Sequence, residues 1–389
     1  MKKTMKISQV WIADVVDERF LGDIFIEENE ITEIAAEISR SADIEIDGTG
    51  RNWTAAPGFI DMHIHGSAGY DVMDATPEAL NGLAESLPRE GTTSFLATTM
   101  TQSDEAISKA LENASGFEAR ENQAEMIGIH LEGPFISPKQ PGAQPAEFIA
   151  LPSASLFNKW QVLSGKRIKM ITMAPEVEGG LAFVKQLKSA GIIASVGHSN
   201  ATHGESQEAV EAGASHITHL YNQMSAFHHR DPGVVGTALL EEKLTVELIA
   251  DFIHSHPKSV EMAFRLKGAG GLVLITDAMR AKGLPNGVYD LAGQDVHVTE
   301  TGARLSSGAL AGSILTMDGA IRNVRSVTNC SISDLVAMTS ANAAKELGLA
   351  NKGKISAGKD ADLVILDEAL NVQLTICRGT IAYAKEELG

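Results

Sequence analysis

The residues of this chain best suited to chemistry begin with His63 and His65 in Asp61-Met-His-Ile-His-Gly66. In an extended stretch, a spacing of two sends both imidazoles to one face, where they can share an ion. Taken alone, such a pair is almost as readily two solvated histidines. Three further donors follow: Glu132 in His130-Leu-Glu-Gly-Pro134, His198 in Val196-Gly-His-Ser199 and His219 in Thr218-His-Leu-Tyr-Asn222. Four imidazoles and a carboxylate make a nitrogen and oxygen set that suits one or two divalent transition-metal ions (Zn, Fe or Mn), with the carboxylate able to bridge two. Asp277, in Leu274-Ile-Thr-Asp-Ala278, adds a group that can take a proton and return it. An isolated aspartate of this kind more often caps a helix; the neighbouring donors favour the acid–base role.

These residues lie far apart in sequence, so the elements carrying them must bring them together. Eight runs of strand character can be read between helix-like segments: 58–64, 93–98, 126–131, 168–173, 192–196, 216–220, 245–252 and 272–276. Helix starts are marked by Thr76-Pro77, by Ser103-Asp104-Glu105 and by the capping box Thr202-x-x-Glu205. Eight alternations predict an α/β fold, a (β/α)8 TIM-like barrel, and each donor above then stands at or near the C-terminal end of a strand, where barrel active sites form. An open doubly wound sheet has the same periodicity, but no G-x-G-x-x-G follows the first strand. The two chain ends alternate short β-like runs instead. They predict a small β-sandwich from 1–56 plus 353–389, leaving 57–352 to the barrel.

Among the other histidines, His130 shares a strand face with Glu132 and reads as a supporting partner of the donors. His216, three positions before His219, is expected to point away from it. His203, His228, His229, His256 and His297 read as surface or loop residues.

Composition bounds the function. The chain has 389 residues, 44% hydrophobic and 21% charged, which fits a globular protein and not a disordered one. A formal charge of -18 opposes nucleic acid and acidic membrane surfaces, so neither partner is expected. An anionic substrate then needs a dedicated cluster of local donors. The two cysteines, Cys330 and Cys377, make no disulfide framework, and neither a signal core after Lys2 and Lys3 nor an apolar run of about 18 residues is present. A cytoplasmic protein is the expectation.

The motifs around these residues resemble those of the N-acetylglucosamine-6-phosphate deacetylase family in the amidohydrolase superfamily. The resemblance covers most of the chain and rests on Pro57-Gly-Phe-Ile-Asp-Met-His-Ile-His-Gly66, His130-Leu-Glu-Gly-Pro-Phe135, Val196-Gly-His-Ser199, Thr218-His-Leu-Tyr-Asn-Gln-Met224, Asp231-Pro-Gly233, Thr276-Asp-Ala278 and Leu310-Ala-Gly-Ser313. It implies that Glu132, His198 and His219 hold the metal shared by the family, that His63 and His65 add a second position, and that Asp277 is catalytic. It further implies that Asn222 and Gln223 (through their backbone), Arg230 and His254 hold a phosphate, with Leu310, Ala311 and Gly312 beside the sugar and its acetyl group. Arg230 would serve a neighbouring subunit of a homodimer. Ala143-Gln144 stands where some relatives have Thr-His, so an amide would replace an imidazole at the sugar hydroxyl.

The activity so implied is hydrolysis of N-acetylglucosamine 6-phosphate to acetate and glucosamine 6-phosphate, in amino-sugar catabolism. The donor set alone does not name a substrate. Another hydrolase of the superfamily, such as a deaminase or cyclic amidase, and a silent sugar-phosphate-binding protein on the same fold are the alternatives.

Overall fold

All eight stretches read as barrel strands are strands in the computed structural model, which describes residues 3–15 and 19–386. Lys2 and the parts of the end segments at 1–2, 16–18 and 387–389 lie outside the described residues. The barrel strands are β1 (Phe59–Ile64), β2 (Thr92–Thr99), β3 (Glu125–Glu132), β4 (Ile168–Met173), β5 (Ile193–Val196), β6 (His216–Ile217), β7 (Thr245–Leu248) and β8 (Leu272–Leu274). They pair in parallel and in chain order. The ring closes between β8 and β1 beyond their regular ladders: Ile64 bridges Ala278, and the Asp277 N–H donates to the His63 carbonyl at 2.8 Å. Buried Asp61 reinforces that seam, accepting from the Thr276 hydroxyl at 2.5 Å.

Three strands end earlier than the alternation predicts, each for a local reason. β6 stops before Thr218, whose hydroxyl is drawn sideways to Thr172 and Ser195 at 2.6 and 2.5 Å, and the backbone turns left-handed at His219 (φ 29°). β7 stops before Phe252, which is also left-handed (φ 64°), and β8 stops where Thr276 turns to Asp61. The three helix starts are capped as read. Thr76, Ser103 and Thr202 each accept from the backbone N–H three residues on, and Glu205 completes the box by accepting from the Thr202 N–H.

The chain ends join in one nine-stranded sheet, in which Thr54–Pro57 pairs with both Thr4–Ile12 and Leu363–Leu366. That sheet has its own apolar cluster, including Met5, Ile7, Ile24, Leu363 and Ile376, separate from the barrel core. We propose 1–56 with 353–389 as one unit and 57–352 as the other.

The residues after β8 hold an element absent from the sequence reading, a three-stranded antiparallel sheet of Gly287–Leu291, Gln294–Thr299 and Gly302–Leu305. Its signal is present in retrospect. Ala292 and Gly293, both at positive φ, form a two-residue turn between alternating runs, as tight hairpins require. The inner face packs Leu291, Val296, Val298 and Ala303 against Met100 and Met279.

Candidate active site

The six residues read as metal donors and proton carrier converge at the C-terminal end of the barrel. His63, His65, Glu132, His198, His219 and Asp277 are all buried, and Asp277 is the most accessible of them at 8%. Three of them, His198 (φ 47°), His219 (φ 29°) and Asp277 (φ 47°), sit in the left-handed region just past their strands. That conformation is costly for residues other than glycine and is retained where the surroundings enforce it, often at functional sites. Here it turns the side chains off the strand axis and into the mouth.

Two triads of side chains face each other across Glu132. On one side, Glu132 Oε1 lies 3.2 Å from Nε2 of both His198 and His219, whose Nε2 atoms are 3.2 Å apart. On the other, Asp277 Oδ1 lies 3.3 Å from His65 Nε2 and 3.5 Å from His63 Nε2. Glu132 reaches this second group as well, at 3.4 Å from His63 and 3.3 Å from His65. Metal bonds of about 2.0–2.2 Å give tetrahedral edges of roughly 3.3–3.6 Å, close to these separations.

The tautomers point the same way. His198 Nδ1 is 2.8 Å from the Gln140 carbonyl, His65 Nδ1 is 3.3 Å from the Thr98 carbonyl, and His63 Nδ1 is 3.0 Å from the Glu247 carboxylate. A ring that donates from Nδ1 to such an acceptor leaves Nε2 as a bare lone pair in its neutral form. These Nε2 atoms all face the centre, and that of His63 is buried without a hydrogen-bond partner. Lone pairs and carboxylates aimed at one another are the arrangement that a cation between them would stabilise. The donors form two groups that could each hold a divalent ion, one of Glu132, His198 and His219 and one of His63, His65 and Asp277.

The electrostatics agree. Burial opposes charge on Glu132, yet the neighbouring His63, His198 and His219 hold its carboxyl well below the usual range. Asp277 is likewise held low against burial by His63 and His65, so it stands as a carboxylate ready to accept a proton. Burial pushes His130 down to about 3, keeping it neutral. Its ring packs edge-on against His63 at 4.5 Å between centroids while Nε2 contacts the Thr172 hydroxyl at 2.7 Å, so it supports the donors by packing.

A cavity of about 230 Å³ opens above these groups. Of the residues read as substrate contacts, Ala143, Gln144, Asn222, Gln223, His254, Leu310 and Gly312 line it. His254 is aimed by Asp251, whose Oδ2 is 2.7 Å from its Nδ1. Gly312 is needed as glycine. Its φ is 61°, and a Cβ would meet the Asp277 carbonyl and the Met279 side chain at 3.2 Å. Ala311 is fully buried behind the wall, with its N–H given to the Ala303 carbonyl.

Gln144 is 5% exposed, and its Nε2 donates to Glu132 while its Oε1 accepts from the Thr101 N–H. Arg230 is exposed on the 226–231 loop and does not line the cavity of its own chain. The arginine that lines it is Arg304, on the inserted sheet. Sequence reasoning missed Arg304 along with that sheet.

Residues 54–382 match the amidohydrolase family. The chain is 54% identical over 360 residues to the N-acetylglucosamine-6-phosphate deacetylase of Lysinibacillus sphaericus, covering 92% of each. It is 53% identical over 336 residues to that of Bacillus subtilis strain 168, covering 85% of each. The crystal structure of N-acetylglucosamine-6-phosphate deacetylase from Thermotoga maritima superposes with a TM-score of 0.89 at 36% identity, over 98% of this chain and 100% of that one. The chain belongs to the amidohydrolase family, within its N-acetylglucosamine-6-phosphate deacetylase group.

Proposed function

We propose that the chain hydrolyses N-acetylglucosamine 6-phosphate to acetate and glucosamine 6-phosphate, with Asp277 as the catalytic proton carrier. One observation carries this reading: an ionised, 8% exposed Asp277 borders both the donor cluster and the cavity, in a chain 54% identical to a deacetylase of that name.

Glu132, His198 and His219 would hold one divalent ion, and His63 and His65 a second. When bound, such an ion supplies Lewis acidity, polarising a carbonyl and lowering the pKa of a water toward about 7. Asp277 takes a proton from the water as its oxygen attacks the acetyl carbon. The C–N bond then breaks, and Asp277 delivers that proton to the departing amine. Leu310 and Gly312 border the acetyl group, while His254, held by Asp251, and the turn at Asn222 and Gln223 face the phosphate. Nitrogen and oxygen donors suit Zn, Fe or Mn alike. The same reading makes the protein cytoplasmic and a homodimer, in which Arg230, exposed and away from its own cavity, reaches the neighbouring site.

A substrate panel tests the reading. Metal-loaded protein should release acetate from N-acetylglucosamine 6-phosphate far faster than from the unphosphorylated sugar or from the C4 epimer of the phosphate ester. Turnover of a cyclic amide with none of the phosphorylated sugar would overturn it.

A further inference from the structure

Behind the cavity wall, one carboxylate touches two of the residues assigned as metal donors. Glu247 on β7 is wholly buried, and its Oε2 accepts from the ring Nδ1–H of His63 and from the backbone N–H of His219, both at 3.0 Å. Its Oε1 lies 3.3 Å from Nε2 of His216, and Nδ1 of His216 lies 2.7 Å from Oε2 of Glu346, on the helix Asn342–Glu346. The result is a row of four side chains, His63, Glu247, His216 and Glu346, leading from the cluster to a carboxylate that is 14% exposed. The sequence reading expected His216 to point away from His219, and so it does, into this row.

Buried charges persist only when paired and hydrogen-bonded. Burial opposes charge on His216, but Glu346 and Glu247 push it up to about 10, so it is an imidazolium donating to a carboxylate on each side. His216 engages Oε1 of Glu247, with Oε2 left to fix His63. A carboxylate on Nδ1–H sets both the tautomer and the tilt of the ring. His63 must then present Nε2 to the cluster, 3.4 Å from Glu132 and 3.5 Å from Asp277. The same oxygen ties down the left-handed backbone of His219.

We propose that Glu247, backed by His216 and Glu346, is a positioning residue that orients His63 and so sets the affinity of the second cation position. This rests on the assignment of His63 and His65 to a second ion, which the test must separate from the new claim.

The experiment is Zn2+ binding by equilibrium dialysis, with elemental analysis, on metal-stripped full-length protein and three variants. Wild type should bind two ions and His63→Asn one. Glu247→Gln, which keeps shape but loses the charge, should weaken the second ion 10–100-fold, with a smaller loss at the first. Glu346→Gln, at the accessible end, should weaken the second ion by a smaller factor, and it carries the test if Glu247→Gln does not fold. A single ion in wild type, unchanged by His63→Asn, would sink the two-ion assignment. Two ions in wild type and one in His63→Asn, with second-ion affinity unaltered in both glutamine variants, would overturn the positioning role alone.

Discussion

Gln144 donates from Nε2 to Glu132 Oε2 over 2.6 Å, the shortest polar contact made by the carboxylate that belongs to one donor triad and reaches the other. Its other end is fixed by the Thr101 N–H at 2.7 Å, so the amide cannot flip. An amide so engaged holds Glu132 and has little left for a sugar hydroxyl.

Gln144→Leu is therefore expected to lower metal affinity roughly 10–100-fold, as removal of groups that orient ligands does. With saturating metal, KM for the sugar phosphate should stay close to wild type. Metal titration beside steady-state kinetics checks this. A large rise in KM with normal metal affinity would return Gln144 to the sugar.

Asp277→Asn should keep its fold and the ion held by Glu132, His198 and His219 but lose about 10²- to 10⁴-fold in kcat, because an amide cannot carry the proton. Elemental analysis and kcat together decide. Near-normal kcat would make Asp277 a structural group.

For Arg304, the expected outcome is selective. Hydrogen bonds to charged groups contribute about 1.5–3 kcal/mol, so Arg304→Ala should lower kcat/KM for the phosphorylated sugar roughly 10- to 150-fold and leave the weak activity on the unphosphorylated sugar unchanged. Arg230→Ala should act the same way if the neighbouring subunit's site uses it. Equal proportional losses on both substrates would tie either arginine to folding or assembly.

A pH effect on stability comes from Glu90, buried and 2.7 Å from Lys282. Burial pushes its carboxyl up to about 7, although Lys282 opposes the shift. Because the folded pKa lies above the unfolded one, the contribution is full below about 4.5 and is lost as pH rises toward 7. Relative to wild type, Glu90→Gln should lack this decline, which is at most about 1.4 kcal/mol per pH unit. Urea unfolding at pH 5, 6 and 7 measures it, and parallel slopes in the two proteins would contradict the account.

The sequence made the donors legible because strand periodicity puts His63 and His65 on one face, and because Glu132, His198, His219 and Asp277 fall just at or past apolar runs. It did not reveal Glu247. Inside Thr245–Leu248 nothing distinguishes a buried carboxylate from a solvated one until β6 brings His216 to it and the helix Asn342–Glu346 brings Glu346 to His216. The contacts of Gln144 were hidden for the same reason, since the loop that carries it must first fold back onto Glu132 and Thr101. Arg304 was missed with the sheet that carries it. Strand ends were overextended at β6, β7 and β8 because side-chain hydrogen bonds and left-handed turns, which apolar runs do not encode, end them.

The central claim, water attack on the acetyl carbon of N-acetylglucosamine 6-phosphate, is tested most directly by turnover in ¹⁸O-labelled water with mass analysis of the products. One labelled oxygen should enter each acetate, no label should enter glucosamine 6-phosphate, and the two products should appear in equal amounts. Absence of acetate, or label in the sugar phosphate in place of the acetate, would contradict the account.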